Sequence, residues 1–577
     1  MSILGIHDAH DAGAAVVERG KVIGAVNEER FTKLKNDVGF PANSIKYLLS
    51  LADRDDIDAV AVPWIGGSAL FARVLPYLEV KRRKLWRNEV PKPSRFSMKL
   101  RNIVFKLVQD QKPEWLWSSL GKSVGGYELA KRLKALSLDK KIVFVNHHLA
   151  HAASAYYASG FKEALVITLD GAGDGLSGSV SIGDNGNLKV VNKFRASASL
   201  GILYGAATIA CDLRYSEDEG KLMSLAAYSY NAEMPELEGI VHYDEKRRQL
   251  VSGTGKKYEY LLAEYIKDHL LWKYNREALA YAVQRHVEKQ VLKIMEQYIK
   301  ETGIHNIAVA GGLFSNVIIN MMINEHPDVK DFFIYPQMGD GGLAAGAAYY
   351  VDYMQNGVFN KRQIEHLYYG PEYTDAQIER VLRKYSKKGQ ISYEEVKDMP
   401  SYAAEEIAEK NRIILWFQGR MEYGPRALGN RSVIALPNNP KNRDKINLII
   451  KRRPYYQPFA STILEEDAPE LLDPYPRGNR FMTVAYKEKE EHVNDLVAAS
   501  HIDGTTRPQV LVGENPLYRK LISGIKKRTG VGAVLNTSFN KHGKPIVMDP
   551  EDAIWTLMNT GADTLAIGRF FVEKTKK

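Results

Sequence analysis

Residues 164–194 read ALVITLDGAGDGLSGSVSIGDNGNLKVVNKF, and the order of segments in this stretch decides the fold. The run ALVITL is typical of a buried strand, and the loop DGAGDG that follows it combines aspartate with glycine. Two further alternating segments are separated by a turn at Asn185-Gly186-Asn187, which predicts a β-hairpin. The stretch therefore predicts one unit made of a strand, an acidic glycine loop and a hairpin.

The start of the chain repeats this pattern. LGIHDA, from Leu4, predicts a strand, and GAAVVERGKVIGAVNEE, from Gly13, predicts a hairpin that turns at Arg19-Gly20-Lys21. A strand–loop–hairpin unit used twice is the pattern of the actin-like ATPase fold, in which the two loops face each other across a nucleotide cleft. We therefore predict an α/β chain whose first part is a duplicated, ribonuclease-H-type, actin-like (ASKHA) domain.

The segment just before the second unit carries two histidines four residues apart. In VNHHLAHAASAYY, His147 and His151 share one face of a predicted helix, so both imidazoles can bind one metal ion. Asp170, after the next strand, and Asp340, in a second Asp-Gly loop, complete a predicted group of four ligands. Imidazole with carboxylate suits Fe(II), Mn(II) or Zn(II). The alternative is that the histidines are ordinary helix residues, since HxxxH alone is a weak signal.

The composition is that of a large protein without a disulfide framework. A chain of 577 residues is too long for one core, so at least two domains are predicted. The single cysteine, Cys211, excludes intramolecular disulfides and Cys-rich zinc modules. The first residues lack the basic and apolar regions of a secretory signal, and no run approaches the ~18 apolar residues of a membrane span. We therefore predict a cytoplasmic protein.

The composition changes at residues 355–395, where polar, lysine-rich segments predict a domain boundary near His366. We assign residues 1–365 to the actin-like domain. Residues 366–577 are assigned to a second α/β domain, which is dense in arginine and lysine around a few glycine turns.

Much of the net charge of +10 lies in a predicted insertion at about residues 66–135. Its basic run, residues 81–106, contains these cations: Lys81, Arg82, Arg83, Lys84, Arg87, Lys92, Arg95, Lys99, Arg101 and Lys106. The aromatic residues Trp86, Phe96 and Phe105 are interleaved with them. Such a run could bind an anionic partner or lie on a membrane surface, or it could be a solvated insertion. No nucleic-acid-binding signature accompanies it.

Several residues of the first domain are candidates for contact with substrates. His10 lies in the first glycine loop, where a neutral imidazole could take a proton from an acceptor hydroxyl or could simply bond to the backbone. Gly311, Gly312 and Asn316, in AGGLFSN, form a strand-to-helix corner that could hold a nucleotide. Lys221 could bind phosphate or substrate, and the alternative is a surface lysine.

The second domain places arginines among glycines and prolines, as in GRMEYGPRALGNRSV. Guanidinium groups on turns suit a small anion with many oxygens, because they bind phosphate or carboxylate through two hydrogen bonds at once. The residues predicted to hold this anion are Arg426, Arg431, Lys451, Arg453, Arg507, Asn536 and Ser538. The alternative, a set of solvated surface arginines, does not explain the glycine and proline that bracket them.

Together these segments resemble the O-carbamoyltransferase family, which includes nodulation and antibiotic carbamoyltransferases. The resemblance covers nearly the whole chain, and its most specific text is EYGPRALGNRS at residues 422–432, NTSFN at 536–540 and HHLAHAASAYY at 147–157. It implies a Kae-type first domain, related to threonylcarbamoyl-transfer proteins of tRNA modification, and a YrdC-like second domain.

The resemblance also implies a two-step activity. Carbamoyl phosphate and ATP would form carbamoyl-adenylate in the YrdC-like domain, and the metal-bearing domain would pass the carbamoyl group to an acceptor hydroxyl. His147, His151, Asp170 and Asp340 match the family's metal ligands, usually iron, and His10 matches the histidine of the transfer site. Gly311, Gly312 and Asn316 match a nucleotide-binding corner. The seven anion-site residues of the second domain fall in segments that bind carbamoyl phosphate and ATP; Mg could accompany the nucleotide.

The chain departs from the family in one segment. The usual pattern K-x-R-E-x-x-R-P-F-A-P becomes KRRPYYQPFAS here, so that Pro454, Gln457 and Ser461 replace a glutamate, an arginine and a proline. One positive contact is therefore missing or comes from elsewhere, with Arg452 as a candidate, and this departure bears on activation by carbamoyl phosphate.

The leading hypothesis is an ATP-dependent O-carbamoyltransferase acting on a sugar-like or secondary-metabolite hydroxyl. Mechanistically, a metal would act as a Lewis acid, and AMP would be the leaving group of a mixed anhydride. Two alternatives remain: carbamoyl-type transfer to tRNA, and a non-catalytic actin-like nucleotide-binding protein. The acceptor is predicted to be anionic, for example lipid-linked or phosphorylated, because of the basic run; no obligate nucleic acid is expected.

Overall fold

A computed structural model of the chain describes residues 2–109, 114–256, 258–475 and 477–575, and the side chains at 67–69, 71, 104–109 and 114–115 are also outside the description. The chain divides into two compact units. The first contains Met1–Glu28 and Asn36–Ile364, and the second contains Glu365–Lys577 together with the short segment Glu29–Lys35.

The first unit is built from two five-stranded sheets, a two-stranded sheet of β9 and β10, and the helices around them. Its strands are β1 (Ser2–His7), β2 (Gly13–Glu18), β3 (Lys21–Asn27), β4 (Ile57–Pro63), β5 (Lys141–Val145), β6 (Glu163–Gly173), β7 (Leu176–Asp184), β8 (Asn187–Arg195), β9 (Val241–Asp244), β10 (Gln249–Ser252), β11 (Asn306–Ala310) and β12 (Asp331–Ile334).

The α-helices between Glu29 and Asn356 are numbered along the chain. They are α1 (Glu29–Thr32), α2 (Ala42–Leu48), α3 (Gly67–Val74), α4 (Pro76–Trp86), α5 (Arg95–Gln109), α6 (Glu114–Leu120), α7 (Gly126–Lys134), α8 (His147–Ser159), α9 (Leu200–Ala210), α10 (Glu219–Ala226), α11 (Glu259–Ile266), α12 (Arg276–Thr302), α13 (Val317–Glu325) and α14 (Leu343–Asn356). All but α1 belong to the first unit.

The two sheets have the same topology. One has the strand order β3-β2-β1-β4-β5 and the other has the order β8-β7-β6-β11-β12. In each, the first strand pairs antiparallel with a hairpin on one side and parallel with a later strand on the other. This confirms the predicted strand–loop–hairpin unit used twice in a mixed α/β fold. His10 lies in the loop after β1, and Asp170 lies near the end of β6, where the pairing with β7 is irregular between Leu169 and Gly173.

Two glycines set how closely the site-bearing elements pack. A Cβ on Gly346, in α14, would lie 2.0 Å from the carbonyl oxygen of Ala150 in α8. A Cβ on Gly5, in β1, would lie 1.8 Å from the carbonyl oxygen of Ala344 in α14. Only glycine allows these backbones to approach each other so closely. Helix α14 is therefore held against both α8 and β1, which brings the residues at their ends within reach of one another.

The second unit is built around one eight-stranded mixed sheet of order β13-β22-β21-β14-β15-β20-β16-β19. Its strands are β13 (Ile391–Glu395), β14 (Ile414–Phe417), β15 (Arg431–Ala435), β16 (Ala460–Leu464), β17 (Tyr486–Lys487), β18 (Thr505–Thr506), β19 (Gln509–Leu511), β20 (Ala533–Ser538), β21 (Thr564–Ile567) and β22 (Phe570–Lys574). Its helices are α15 (Asp375–Ser386), α16 (Met399–Ala408), α17 (Pro440–Lys445), α18 (Ala468–Leu471), α19 (Val493–Leu496), α20 (Pro516–Thr529) and α21 (Pro550–Met558).

Apolar side chains of alternating strand residues fill two cores in this unit. Leu415 and Val433 belong to one core, and their neighbours Trp416 and Ile434 belong to the other, so the sheet is covered on both faces. The segment Glu29–Lys35, which follows β3 in the chain, also packs here: Arg30 Nη2 donates to the carbonyl oxygen of Gly424 at 2.8 Å. No sequence pattern predicted that this segment belongs to the second unit.

Candidate functional site

Helix α8 places two imidazoles beside the acidic loop after β6. Asn146 caps the helix by accepting from the backbone N–H groups of His148 and Leu149. The backbone N–H of His147 donates to Asp174 Oδ2 at 2.9 Å, which fixes the start of the helix to the loop. The rings of His147 and His151 then lie 4.7 Å apart, on the shared face that the sequence predicted.

Four predicted ligands meet at this point. Ligand atoms of His147, His151, Asp170 and Asp340 all lie within 4.8 Å of one another. His151 Nε2 is 3.2 Å from Asp170 Oδ2 and 3.3 Å from Asp340 Oδ1. His147 Nε2 is 3.4 Å from Asp170 Oδ2 and 3.6 Å from Asp340 Oδ1. The structure therefore brings together all four residues of the predicted metal group.

The spacing and chemistry of this group fit a divalent cation. Ligands about 2.1 Å from an ion in tetrahedral geometry lie about 3.4 Å from one another, close to the spacing seen here. Burial raises the pKa of Asp340 well above its usual value, and the negative charge of Asp170 adds to the rise. Burial alone would also raise the pKa of Asp170, but hydrogen bonds with His147 and His151 bring it well below its usual value. Two adjacent buried carboxylates need positive charge, which a metal ion would supply.

His10 lies at the edge of the metal group. Its Nε2 is 3.1 Å from Asp340 Oδ2, and its ring stands edge-on to the indoles of Trp64 and Trp86, each 5.7 Å away. Burial and then the positive charge of Arg82 lower the pKa of His10 to about 3, so the imidazole is neutral at pH 7. A neutral imidazole partly open to solvent is able to accept a proton.

The sequence analysis did not single out the residues that frame this site. Asp174, the second aspartate of the same loop, accepts hydrogen bonds from the backbone N–H groups of Ile65, Gly66 and His147. Trp64, after β4, lies against His147 with ring centroids 5.1 Å apart and has a φ of 75°, which is unusual for tryptophan. The repeated aspartate in LDGAGDG was a usable signal for Asp174, whereas nothing in the sequence marked Trp64.

Gly311 and Gly312 pack against the segment that contains Leu169 and Asp170. Gly311 has a φ of 108°, and a Cβ there would lie 2.2 Å from the carbonyl oxygen of Leu169. A Cβ on Gly312 would lie 2.8 Å from Asp170 Oδ1. The two glycines thus allow the corner after β11 to pack on the Asp170 loop, and their predicted contact with a nucleotide stays a prediction.

Asn316 and Lys221, two other predicted nucleotide contacts, have structural partners. The Asn316 side chain accepts from the N–H groups of Ile318 and Ile319, as the cap of α13, and donates to Gln284 Oε1 at 2.7 Å. Lys221 is buried with its Nζ 2.8 Å from Asp218 Oδ1. These bonds give both residues a role within the fold and leave their predicted role in nucleotide binding without support.

Three arginines of the second unit gather without acidic partners. Among the residues that the structure describes, no carboxylate pairs with Arg426, Arg453 or Arg507. Burial lowers the pKa of Arg426 to about 10 and that of Arg453 to about 9. The pKa of Arg507 falls well below its usual value because of burial and then because of the charges of Arg426 and Arg453. Mutually repelling, partly desolvated guanidinium groups are the expected arrangement of an anion site.

Lys451 lies beside Arg453 and is nearly inaccessible to solvent. Its Nζ donates to the carbonyl oxygen of Ser538, to Ser538 Oγ at 3.1 Å and to Asn540 Oδ1 at 2.6 Å. Burial and then the charge of Arg453 hold the pKa of Lys451 well below its usual value. Asn536 is buried on the same strand, and its Oδ1 lacks a hydrogen-bond donor among the described residues. The strand end at residues 536–538 thus lies close to Lys451, and the predicted contact of these residues with an anion stays a prediction.

Arg431 differs from the other predicted anion ligands. Its guanidinium donates to the backbone carbonyls of Gln418, Asn430 and Gly419 and lies 3.5 Å from the ring centroid of Phe417. The terminal nitrogens are therefore committed to the backbone of the loop. The geometry gives Arg431 a structural role in the YGPRALGNR segment and leaves its prediction as an anion ligand without support.

The segment that departs from the family pattern is partly built into the fold. Ser461 is buried, with its Oγ 3.0 Å from Thr506 Oγ1. The carbonyl of Gln457 accepts from Arg453 Nη2 at 3.5 Å. Arg452, the candidate replacement cation, is exposed. The role of Arg452 as the replacement cation stays a prediction.

The basic run of the insertion is not a uniform cationic surface. Its paired arginines and their acidic partners are Arg82 with Glu79, Arg83 with Asp37, Arg87 with Glu217 and Arg95 with Asp268. Trp86 is buried, whereas Phe96 is 80% exposed. Lys81, Lys84, Lys92 and Lys99 are exposed. The side chains of Phe105 and Lys106 lie outside the described residues. Acidic side chains therefore offset part of the positive charge of this run, and its predicted contact with an anionic partner stays a prediction.

In the part of the chain that the structure describes, no helix is both long enough and apolar enough to cross a membrane.

Comparison with protein families shows which family the chain belongs to. A model described as Carbamoyltransferase N-terminus matches residues 2–349, and one described as Carbamoyltransferase C-terminus matches residues 404–574. The chain belongs to the carbamoyltransferase family. The two matches fall on the two halves of the chain, and the protein is a transferase of this family.

Relatives agree with this assignment. An uncharacterized protein of Methanocaldococcus jannaschii is 33% identical over 100% of both chains. Nodulation protein NolNO of Sinorhizobium fredii is 33% identical over 98% of this chain and 79% of its own length. The 3'-hydroxymethylcephem-O-carbamoyltransferase of Amycolatopsis lactamdurans is 26% identical over 62% of this chain and 65% of its own. The predicted family is confirmed.

Proposed function

We propose that the protein is an ATP-dependent O-carbamoyltransferase. It forms carbamoyl-adenylate from carbamoyl phosphate and ATP, and it passes the carbamoyl group to a hydroxyl of a small sugar-like or secondary-metabolite acceptor. The observation that carries this proposal is the group His147, His151, Asp170 and Asp340, with ligand atoms within 4.8 Å, in a chain of the carbamoyltransferase family. The name of the cephem relative supports transfer to oxygen.

The activation step is assigned to residues 366–577, which we propose to be a YrdC-like domain. Arg426, Arg453 and Arg507 lack acidic partners and would bind the phosphate oxygens of carbamoyl phosphate and ATP. The Lys451 amino group would exchange its hydrogen bonds to Ser538 and Asn540 for hydrogen bonds to the substrate. The step consumes one water and releases phosphate and pyrophosphate. Any Mg would arrive with the nucleotide.

The transfer step is assigned to the group of histidines and aspartates in the first unit. His147, His151, Asp170 and Asp340 would hold Fe(II) or another divalent cation, which when bound polarises the carbamoyl carbonyl and stabilises negative charge on the leaving phosphate. His10 faces the same site through Asp340. The acceptor oxygen attacks the carbamoyl carbon, the bond from that carbon to the phosphate oxygen breaks, AMP leaves with the electron pair, and His10 takes the hydroxyl proton.

Isotope exchange tests the activation step without knowledge of the acceptor. The protein is incubated with ATP, carbamoyl phosphate, Mg and radiolabelled pyrophosphate. We expect label to enter ATP only when carbamoyl phosphate is present, because pyrophosphate reverses adenylate formation. ATP binding without exchange, under conditions in which carbamoyl phosphate is present, would instead favour a non-catalytic nucleotide-binding protein.

His10→Gln should separate the two steps. Because His10 lies in the first unit and the cationic group lies in the second, exchange should remain at the wild-type rate. Transfer to any acceptor found should fall by about 10²- to 10⁴-fold, the usual contribution of a proton-transfer group. Reduced exchange in this variant, or normal transfer, would contradict the assigned role of His10.

Acceptor screening addresses the remaining alternatives. Transfer of radiolabelled carbamoyl to tRNA, in place of small hydroxylated compounds, would replace the proposed acceptor class. An anionic or lipid-linked acceptor, and contact with an anionic membrane surface, rest on Lys81, Lys84, Lys92 and Lys99, the exposed lysines of the basic run. Substituting these lysines with glutamine leaves the paired arginines intact and tests their part in binding anionic vesicles.

A further inference from the structure

The two carboxylate oxygens of Asp340 face different histidines. Oδ1 lies 3.6 Å from His147 Nε2 and 3.3 Å from His151 Nε2, in the group described above. Oδ2 lies 3.1 Å from His10 Nε2. His7 completes a second set, since ligand atoms of His7, His10 and Asp340 lie within 4.8 Å of one another. One buried aspartate therefore belongs to two groups of possible ligands.

His7 has the hydrogen bonding of a histidine that is ready to bind a cation. The residue ends β1 and is fully buried. Its Nε2 lies 2.8 Å from the backbone carbonyl oxygen of His10, which can only accept, so Nε2 carries the hydrogen and Nδ1 carries the lone pair. Metal-binding histidines usually donate their other ring nitrogen to a carbonyl or carboxylate in this way.

The lone pair of His7 Nδ1 has no donor among the described residues, and His10 Nδ1 is also without a partner there. Trp64 stacks on the His7 ring with centroids 5.9 Å apart and planes 5° apart, which restricts the ring from turning to find one. Unpaired buried nitrogens are unfavourable, so a further group must fill this place, either a water or a cation.

We propose that His7, His10 and Asp340 form a second divalent-cation site, and that Asp340 bridges it to the first. Two imidazoles and a carboxylate are suited to Mn(II), Fe(II) or Zn(II). Paired cations with shared ligands typically lie about 3.5–4 Å apart, a distance that one bridging carboxylate spans. The nitrogen-rich second set and the mixed first set would together make a two-cation centre.

The effect of a second cation on the reaction rests on the proposed function, but the binding of that cation to His7, His10 and Asp340 does not. A second positive charge beside the acceptor hydroxyl favours loss of its proton, which would then pass to solvent while His10 serves as a ligand. The His10→Gln experiment has the same outcome in both cases. Metal content therefore has to decide between the two roles of His10.

The test measures metal content rather than activity. The full-length protein is stripped with a chelator, saturated with Mn(II), freed of unbound metal and analysed for manganese per chain and by electron paramagnetic resonance. We expect two manganese ions per chain with an exchange-coupled spectrum. His7→Gln should hold one ion with an uncoupled spectrum. His148→Gln is the matched control and should hold two, because His148 lies on the same helix as the ligands but bonds to Thr168 and Leu176.

One ion per chain in the wild-type protein would overturn the proposal, and would identify water as the partner of His7. Two ions in His7→Gln would also overturn it. If that variant does not fold, the number of ions and the coupling in the wild-type protein decide the question alone. A one-ion protein that performs exchange and transfer refutes the second site and leaves the proposed function standing, whereas an absence of pyrophosphate exchange concerns only the latter.

Discussion

Arg507→Met is expected to reduce carbamoyl-phosphate-dependent pyrophosphate exchange strongly and, at the same time, to raise the melting temperature. Loss of one charged partner from a buried ionic contact costs about 2–5 kcal/mol, so exchange should fall on the order of 30- to 5,000-fold at subsaturating carbamoyl phosphate. The gain in stability follows because Arg507 is partly buried, and the charges of Arg426 and Arg453 repel its own charge. Relief of this repulsion should raise the melting temperature by about 2–4 °C for each kcal/mol.

Arg431→Met is the control, and its melting temperature is expected to change in the opposite direction. Its guanidinium satisfies backbone carbonyls of the loop that carries Arg426, so its removal should lower the melting temperature, and any loss of exchange should follow the loss of folded protein. For both variants, the melting temperature is measured on the ligand-free protein, and pyrophosphate exchange is measured in the same assay. A lower melting temperature in Arg507→Met, with exchange unchanged, would mean that Arg507 supports the fold rather than an anion.

In the first unit, the sequence predicted the features that depend on neighbouring residues, namely the strands, the glycine turns and the helix face that His147 and His151 share. Alternating strands and the loops after them gave the duplicated sheets, because side-chain alternation and glycine turns are written in neighbouring residues. The spacing of His147 and His151 gave a shared helix face for the same reason. Their meeting with Asp170 and Asp340 was predicted from loops at strand ends, and the close packing at Gly346 explains how α8 and α14 bring them together.

The residues whose predicted roles have no support from the geometry bond to groups that no sequence pattern connects with them. Asn316 bonds to Gln284, and Arg431 bonds to carbonyls of its own loop, so their polar groups are committed to the fold. Three arginines of the insertion, Arg83, Arg87 and Arg95, pair with acids outside it, such as Glu217 for Arg87. The periodicity of apolar and polar residues in the sequence does not predict such hydrogen bonds and ion pairs. A charged residue in a sequence therefore indicates a ligand only after the fold has shown that its own chain does not neutralise it.

Asp340→Asn is expected to leave the fold and the exchange reaction intact and to eliminate transfer. Asparagine keeps the shape of the side chain but loses the negative charge and one acceptor oxygen. Altering an outer partner of a metal ligand already costs about 10- to 100-fold in metal affinity, so loss of a ligand should cost at least about 100-fold. Transfer from carbamoyl-adenylate to an acceptor should fall with it, since the cation and His10 both depend on Asp340.

Asp170→Asn distinguishes a shared ligand from an unshared one. Among the histidines that the structure describes, Asp170 pairs with His147 and His151, whereas Asp340 pairs with these two and also with His10. Manganese content should therefore fall to one ion per chain in Asp170→Asn and to none in Asp340→Asn, if Asp340 bridges two cations. Equal loss in the two variants, from one ion to none, would mean a single-cation site. Full metal content and normal transfer in Asp340→Asn would exclude the aspartate from the centre, because a neutral amide cannot replace a carboxylate between imidazoles without weakening the binding of a divalent ion.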